Sequence, residues 1–190
     1  MPASVSSAKP RKKMQKHKSE ARMLFWGLIS SVVALDVITK AWAVSALTRI
    51  PRPVFGDWLT FQLVYNPGAA FGINVGSYSR VTFLVLGFVA LGVLATLARQ
   101  TEPSDKIRIA ALALVCGGAV GNLIDRVRSA RGVVDFIDVG IGMHRWPTFN
   151  IADIAVTVGA LVLAFVLWDE GKNEDAKENR ATGEAVETST

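Results

Sequence analysis

Three aspartates lie beside strongly apolar segments in the second half of the chain. Asp125 closes one apolar run, Asp135 lies between Val134 and Phe136, and Asp153 lies at the start of the next apolar run. A carboxylate among apolar side chains is costly unless it is paired, protonated or hydrated, and ionisable groups near membrane depth usually have a function. When two carboxyl groups share a site, one of them keeps its proton. One acid can then activate water while the other protonates a carbonyl oxygen, which is the chemistry of peptide hydrolysis without a metal.

The spacing does not say which two of the three aspartates form such a pair. Asp125 precedes Arg126, and a neighbouring cation predicts an ionised, structural acid. The apolar neighbours of Asp135 and Asp153 favour a raised pKa in one of those two carboxyl groups. The pattern favours Asp135 with Asp153 and leaves the choice open.

Other catalytic groups are scarce. His17 lies in the basic head and His144 stands alone in a loop, so we expect His144 to be an interfacial residue rather than a catalytic base. The single cysteine, Cys116, lies inside an apolar run, where it behaves as a small hydrophobic side chain. A zinc site would lack ligands, because the chain has two distant histidines and one cysteine. The sequence also has no phosphate-binding glycine loop ending in Lys-Ser or Lys-Thr. We therefore expect no metal and no cofactor.

The aspartates must be positioned by membrane-spanning helices. The hydrophobic share is 51% and the mean hydropathy +0.34, and the apolar residues concentrate in four runs, at about 24–47, 81–97, 107–124 and 149–168. Each run is close to the roughly 20 residues that cross a bilayer core of about 30 Å. The first run exceeds a secretory signal region and contains two charges, which argues against a cleaved leader. We expect one membrane domain over residues 23–168, with a head (1–22) and a tail (169–190) that lack regular structure.

Charge sets the predicted orientation. Of 21 Lys and Arg residues, 13 lie in the head, the connection between runs two and three, and the tail, whereas 7 lie in the two other connecting segments. The positive-inside rule predicts that both termini are cytoplasmic and that the aspartates gather at the outer face. The basic head, part of a net charge of +5, is typical of a segment that faces anionic lipid. We expect no nucleic-acid partner.

Two charges lie within the first run. Asp36 and Lys40 are four residues apart, so on a helix they share a face and can pair. They either extend towards water near the outer end of the helix or brace the site, and the sequence leaves both possibilities open.

The outer segments have different patterns. After Pro51 and Pro53, residues 58–65 favour a short strand or two on the outer face. Residues 66–72 form a turn of small residues; an ordinary hairpin or loop explains them, although small residues also let a bound peptide approach. In the third run, Gly117, Gly118 and Gly121 lie on one side of the helix, as in closely packed membrane helices.

Five motifs in this order resemble bacterial lipoprotein signal peptidases, the signal peptidase II family. They are DVITK (36–40), NPGAAFG (66–72), GGAVGNLIDR (117–126), VVDF (133–136) and FNIAD (149–153). The resemblance covers about residues 24–168. It implies a membrane all-α fold with four transmembrane helices, a small outer-face β-sheet cradle, and a mobile outer loop or helix over the site.

The resemblance also implies a function. Members of this family are aspartyl endopeptidases of the bacterial cytoplasmic membrane, and they remove signal peptides from prolipoproteins by cutting just before a diacylglyceryl-modified cysteine. Carried onto this chain, the catalytic pair is Asp135 and Asp153. Other matching positions shape the site or hold substrate: Asn66, Gly68, Asn122, Arg126 and Asn150. Three more are supporting polar positions: Asp36, Lys40 and Asp125. We expect a monomer whose partners are prolipoprotein signal peptides and membrane lipid.

Two other hypotheses remain. In an ion-coupled transporter the aspartates would relay ions, but the chain has no internal repeat and its acids cluster at one face. In a non-catalytic scaffold the aspartates would cap helices, as Asp153 in a first turn could, but Asp135 would then have no role.

Overall fold

The computed structural model describes residues 8–48, 50–68 and 76–187. Four helices and four strands follow one another in the order α1, β1, β2, α2, α3, β3, β4, α4. The helices are α1 (Ala8–Ala46), α2 (Ser79–Gln100), α3 (Lys106–Arg128) and α4 (Ile151–Glu187). The strands are β1 (Arg52–Phe55), β2 (Leu59–Asn66), β3 (Val133–Ile141) and β4 (His144–Arg145). The predicted four-helix membrane fold with a small sheet is confirmed.

Each of the four helices is long and apolar enough to cross a membrane. α3 lies at the centre and packs against α1, α2 and α4. Half of the apolar part of α3 is buried within the protein, whereas none of the apolar part of α2 is. The side chains of α2 therefore face lipid over most of its length.

Glycines on α3 allow this close packing, as predicted. A Cβ atom added at Gly117 would lie 2.9 Å from Cβ of Val32 on α1, and one added at Gly121 would lie 2.5 Å from Oδ2 of Asp36. A Cβ at Gly118 would clash with the carbonyl oxygen of Ala152 on α4. The small residues thus bring α1 and α4 close to α3 at the level of the candidate site.

Two helices extend further than the sequence predicted. Residues 8–22 and 169–187, which we expected to lack regular structure, continue α1 and α4. Once a helix is nucleated in the membrane span, each added residue costs little, and Lys, Glu and Ala are good helix formers. Lys16 and Glu20 also form an i,i+4 ion pair at 3.9 Å. Residues 1–7 and 188–190 lie outside the described part of the chain.

The sheet covers one end of α1. Its strands are antiparallel in the order β1-β2-β3-β4, and Asn66 of β2 is opposite Val133 of β3. Val134 and Phe136 on β3 pack with Ala43 and Leu47 of α1 in one buried cluster. The expected strand at 58–65 is confirmed as β2. The connection from α3 to α4 contains β3 and β4 and, over residues 129–150, no helix.

Candidate active site

Asp135 is buried near the start of β3, with 2% of its surface exposed. Its Oδ1 accepts a hydrogen bond of 2.6 Å from Nδ2 of Asn150, and the Asn66 side chain also hydrogen-bonds to it. Burial, together with the nearby negative charge of Asp153, raises the pKa of Asp135 from an ordinary 3.8 to about 7. The two asparagines oppose this rise because they stabilise the charged form. Asp135 can therefore carry a proton at neutral pH.

Asp153 lies in the first turn of α4 and is tied to Asn150, the residue just before the helix. Oδ1 of Asn150 accepts from the backbone N–H of Asp153 at 2.9 Å, and Oδ2 of Asp153 accepts from the backbone N–H of Asn150 at 3.2 Å. This reciprocal pair is a capping box, which satisfies two otherwise unpaired N–H groups of the helix start. Oδ1 of Asp153 accepts from Nδ2 of Asn122 at 2.8 Å. Both oxygens are thus acceptors, as in an ionised carboxylate.

Asn150 links the two aspartates through its side chain and its backbone. Its side chain is completely buried, and Nδ2 contacts Oδ1 of Asp135, the carbonyl oxygen of Val134 and Oδ1 of Asn122. Because its backbone N–H binds Asp153, one residue fixes both carboxyl groups. Asp135 and Asp153 are brought together as predicted.

Lys40 of α1 lies near Asp135 and Asp153, and its ammonium group contacts three oxygen acceptors. Its Nζ is 2.7 Å from Oδ2 of Asp36, 2.9 Å from Oδ2 of Asp125 and 3.1 Å from Oδ1 of Asn122. These contacts match the three donors of an ammonium group. Lys40 is only 3% exposed, so the possibility that it extends towards water is wrong and it braces the site.

Asp36 and Asp125 each connect Lys40 to an element that carries a candidate catalytic residue. Oδ1 of Asp36 accepts from the backbone N–H of Ala152 in the first turn of α4 at 2.9 Å. Oδ2 of Asp125 accepts from the backbone N–H of Val134, next to Asp135, at 3.1 Å. The prediction of a salt-bridged Asp125 is confirmed, but its ion-pair partner is Lys40 and not the adjacent Arg126.

Arg126 lies at the end of α3 close to the aspartates. Its Nη1 donates to the carbonyl oxygen of Asn122 at 3.2 Å, its guanidinium lies 5.7 Å from the ring centre of Phe83, and its charge interacts with those of Asp153 and Asp135. Arg80, at the start of α2, donates from Nε to the carbonyl oxygen of Arg126 at 2.7 Å. Sequence reasoning missed this role of Arg80. The available signal was a cation in the first turn of an apolar helix, where it can reach the end of a neighbouring helix.

Asn66, the last residue of β2, and Gly68 lie beside the aspartates. Oδ1 of Asn66 accepts from the backbone N–H of Gly68 at 3.0 Å, which leaves the Nδ2 donors to face Asp135. Gly68 has a φ of +125°, a conformation that favours glycine, and a Cβ there would lie 2.8 Å from Phe83. Residues 69–72 of the predicted turn lie outside the described residues.

Other polar groups lie apart from this network. His144 is exposed in β4, and Asp138 pairs with Arg145, whose Nη2 is 2.7 Å from Oδ2. Within residues 8–48, 50–68 and 76–187, no group of three or more His, Cys, Asp and Glu side chains is arranged to hold a metal ion.

Four membrane-length helices and two aspartates held in one buried network define a polytopic membrane enzyme with a paired-carboxylate site. Comparisons with known proteins agree. A lipoprotein signal peptidase of Syntrophotalea carbinolica is 42% identical over 147 residues, which cover 76% of this chain and 91% of that protein. A lipoprotein signal peptidase of Xanthomonas campestris pv. campestris is 40% identical over 158 residues, which cover 80% of this chain and 94% of that protein. A solved bacterial membrane enzyme matches with a TM-score of 0.68 and 30% identity, covering 78% of this chain and 90% of that one.

The family model described as signal peptidase (SPase) II matches residues 28–168. The chain belongs to the signal peptidase II family.

Proposed function

We propose that this protein is an aspartic endopeptidase that removes the signal peptide from diacylglyceryl-modified prolipoproteins by cutting just before the modified cysteine. The observation that supports this most directly is the pairing of Asp135, whose pKa lies at about 7, with Asp153, whose two oxygens both accept hydrogen bonds. Asp135 can thus supply a proton while Asp153 presents acceptor oxygens, and these are the acid and base roles that the reaction requires. The lipoprotein signal peptidases among its relatives support the choice of substrate.

In the proposed mechanism a water molecule attacks the scissile carbonyl carbon. Asp153 takes a proton from this water while Asp135 donates its proton to the carbonyl oxygen, which gives a neutral gem-diol. Asp153 then returns its proton to the amide nitrogen as the C–N bond breaks, and Asp135 recovers a proton from a gem-diol hydroxyl. The cycle ends with both residues in their starting states.

The remaining residues of the site support this chemistry. Asn66 and Gly68 follow one another closely at the end of β2, where backbone groups and a side-chain amide can bind an extended peptide. Arg126 lies close enough to both carboxylates to limit their repulsion. Asp36, Lys40 and Asp125 act as positioning residues because they hold α4 and β3 in place.

We also propose a location in the bacterial cytoplasmic membrane, with both termini cytoplasmic and the aspartates at the outer face. The distribution of Lys and Arg supports this orientation. One chain supplies every contact of the network described above, which is consistent with a monomer.

A cleavage assay tests the proposed activity. The purified protein in detergent is incubated with a diacylglyceryl-modified prolipoprotein, and with the same prolipoprotein carrying Ser in place of the modified cysteine. Mass spectrometry is expected to show a cut just before the modified cysteine and none in the Ser substrate. Equal cleavage of both substrates would show that the enzyme does not require the diacylglyceryl group. No cleavage of either substrate would contradict the peptidase function.

The proton on Asp135 predicts a dependence on pH. Because the pKa of Asp135 is about 7, kcat is expected to fall about tenfold per pH unit above that value, as the acid is lost. The folded protein holds this proton between pH 3.8 and about 7 while the unfolded chain has released it, so the free energy of unfolding falls as the pH rises through that window. Rates from pH 5 to 9 and Tm values in detergent measure both effects.

The matched control for stability is an aspartate in the same strand. Asp135→Asn should flatten the dependence of Tm on pH in this window, whereas Asp138→Asn should leave it unchanged. If Asp135→Asn retains the full dependence of Tm on pH, a group other than Asp135 binds the proton.

A further inference from the structure

A cavity of about 480 Å³ lies at the end of the helix bundle opposite the aspartates. It is bounded by the first half of α1, the end of α2 and the start of α3. Over the described residues, α1 and α2 pack on α3 and not directly on each other, so a groove remains between them. Phe25, Trp26, Ala95 and Ile109 form much of its apolar wall.

Three cations line the same cavity: Lys18 and Arg22 from α1, and Arg99 from the last turn of α2. Within the part of the chain that the structure describes, none of the three forms an ion pair or a side-chain hydrogen bond. Glu20, the acid nearest to them on α1, instead pairs with Lys106 at 3.3 Å. Three unpaired cations around an apolar wall fit a ligand that has a negative charge and an apolar body.

The depth of the cations in the membrane identifies the class of ligand. Arg22 precedes Lys40 of the candidate active site by 18 residues on α1, which is about 27 Å of helix. This distance is close to the roughly 30 Å thickness of a bilayer core. With the aspartates near one interface, Lys18, Arg22 and Arg99 therefore lie near the headgroups of the opposite leaflet. Trp26 is 59% exposed beside them, as is usual for tryptophan at an interface.

We propose that this cavity binds one anionic phospholipid. Its phosphate lies among Lys18, Arg22 and Arg99, and an acyl chain fills the groove between α1 and α2. The bound lipid would complete the packing between two helices that the protein leaves apart. This inference does not depend on the proposed peptidase activity, but it rests on the proposed position of the aspartates near one face of the membrane.

Native mass spectrometry of the full-length protein tests the proposal. The protein is reconstituted with phosphatidylglycerol, transferred to detergent, and scored for the fraction that retains one lipid. The double variant R22Q/R99Q is expected to retain phosphatidylglycerol about tenfold less than the wild type, since each cation near an anionic surface contributes to binding. The matched control K12Q/K13Q removes the same charge from exposed positions of α1 outside the cavity, and it should retain lipid like the wild type.

Further measurements separate the site from its alternatives. Ala95→Trp keeps every charge but fills the groove, so it should also lose the lipid even if R22Q/R99Q folds poorly. Retention of phosphatidylcholine equal to that of phosphatidylglycerol would overturn the role of charge. If K12Q/K13Q and R22Q/R99Q lose equal fractions of phosphatidylglycerol, the lipid is held by diffuse electrostatic attraction and not by a specific site. Displacement of the lipid by millimolar inorganic phosphate would indicate a free-phosphate site instead.

Discussion

Asp135→Asn and Asp153→Asn are each expected to lower kcat by about 10⁴-fold or more, a loss typical of removing one member of a catalytic unit. Asparagine has nearly the same shape as aspartate but cannot exchange the proton that the proposed mechanism moves. In Asp135→Asn the carbonyl oxygen loses its acid, and in Asp153→Asn water loses its base. Single-turnover cleavage of a modified prolipoprotein measures the loss.

Two other aspartates provide controls for this result. Asp138 lies in the same strand as Asp135 and is 7% exposed, but it pairs with Arg145 outside the network. Asp138→Asn should keep kcat within a few-fold of the wild type. If Asp135→Asn and Asp153→Asn still cut while Asp125→Asn does not, the catalytic pair includes Asp125. Unchanged circular dichroism spectra would show that the inactive variants fold and insert normally.

Lys40→Met is expected to destabilise the protein by about 3–5 kcal/mol, the usual effect of removing one partner of a buried ion pair. It leaves Asp36, which is completely buried, and Asp125 without their shared cation. Activity should fall as well, because these acids hold the first turn of α4 and the start of β3. Thermal unfolding in detergent measures the loss of stability.

Two further variants test this explanation. Lys106→Met removes a lysine whose side chain is 58% exposed and paired with Glu20, so it should have little effect. The double variant D36N/K40M removes one buried charge of each sign and should recover part of the stability lost in Lys40→Met, since residues in one network are not additive. Equal Tm values for Lys40→Met and Lys106→Met would show that the buried network contributes little to stability.

The helices and the members of the site were predictable from the sequence because both depend on local patterns. Apolar runs of membrane length gave the four helices. The apolar neighbours of Asp135 and Asp153 favoured these two acids without deciding between the three aspartates, and the motifs shared with signal peptidase II selected the pair. β3 was missed as a strand because Val133–Ile141 is buried on both faces over much of its length and shows no clear alternation. The helical extensions of α1 and α4 were missed because charge composition alone does not distinguish an exposed helix from an irregular segment.

Most of the ion pairs and hydrogen bonds that connect the site residues were not predictable from local patterns. The partner of Asp125 is Lys40, 85 residues earlier, and only the packing of α1 against α3 reveals the pair. The link between Asn150 and Asp153 did have a local signal. Their spacing of three residues at the start of an apolar run is that of a capping box, although Glu or Gln is more usual at the second position.

The backbone N–H of Val134 donates to Asp125, nine positions earlier, and this hydrogen bond closes the four-residue connection (129–132) between α3 and β3. Side chains on a strand alternate between faces, so one inserted or deleted residue in this loop would turn Asp135 away from Asp153. We therefore expect insertions and deletions here to abolish activity. They are better tolerated at the exposed turn around Gly142, where a φ of +54° and open space mark the end of a hairpin. The position of Asp135 relative to Asp153 is thus set by the length of a loop that takes no part in the chemistry.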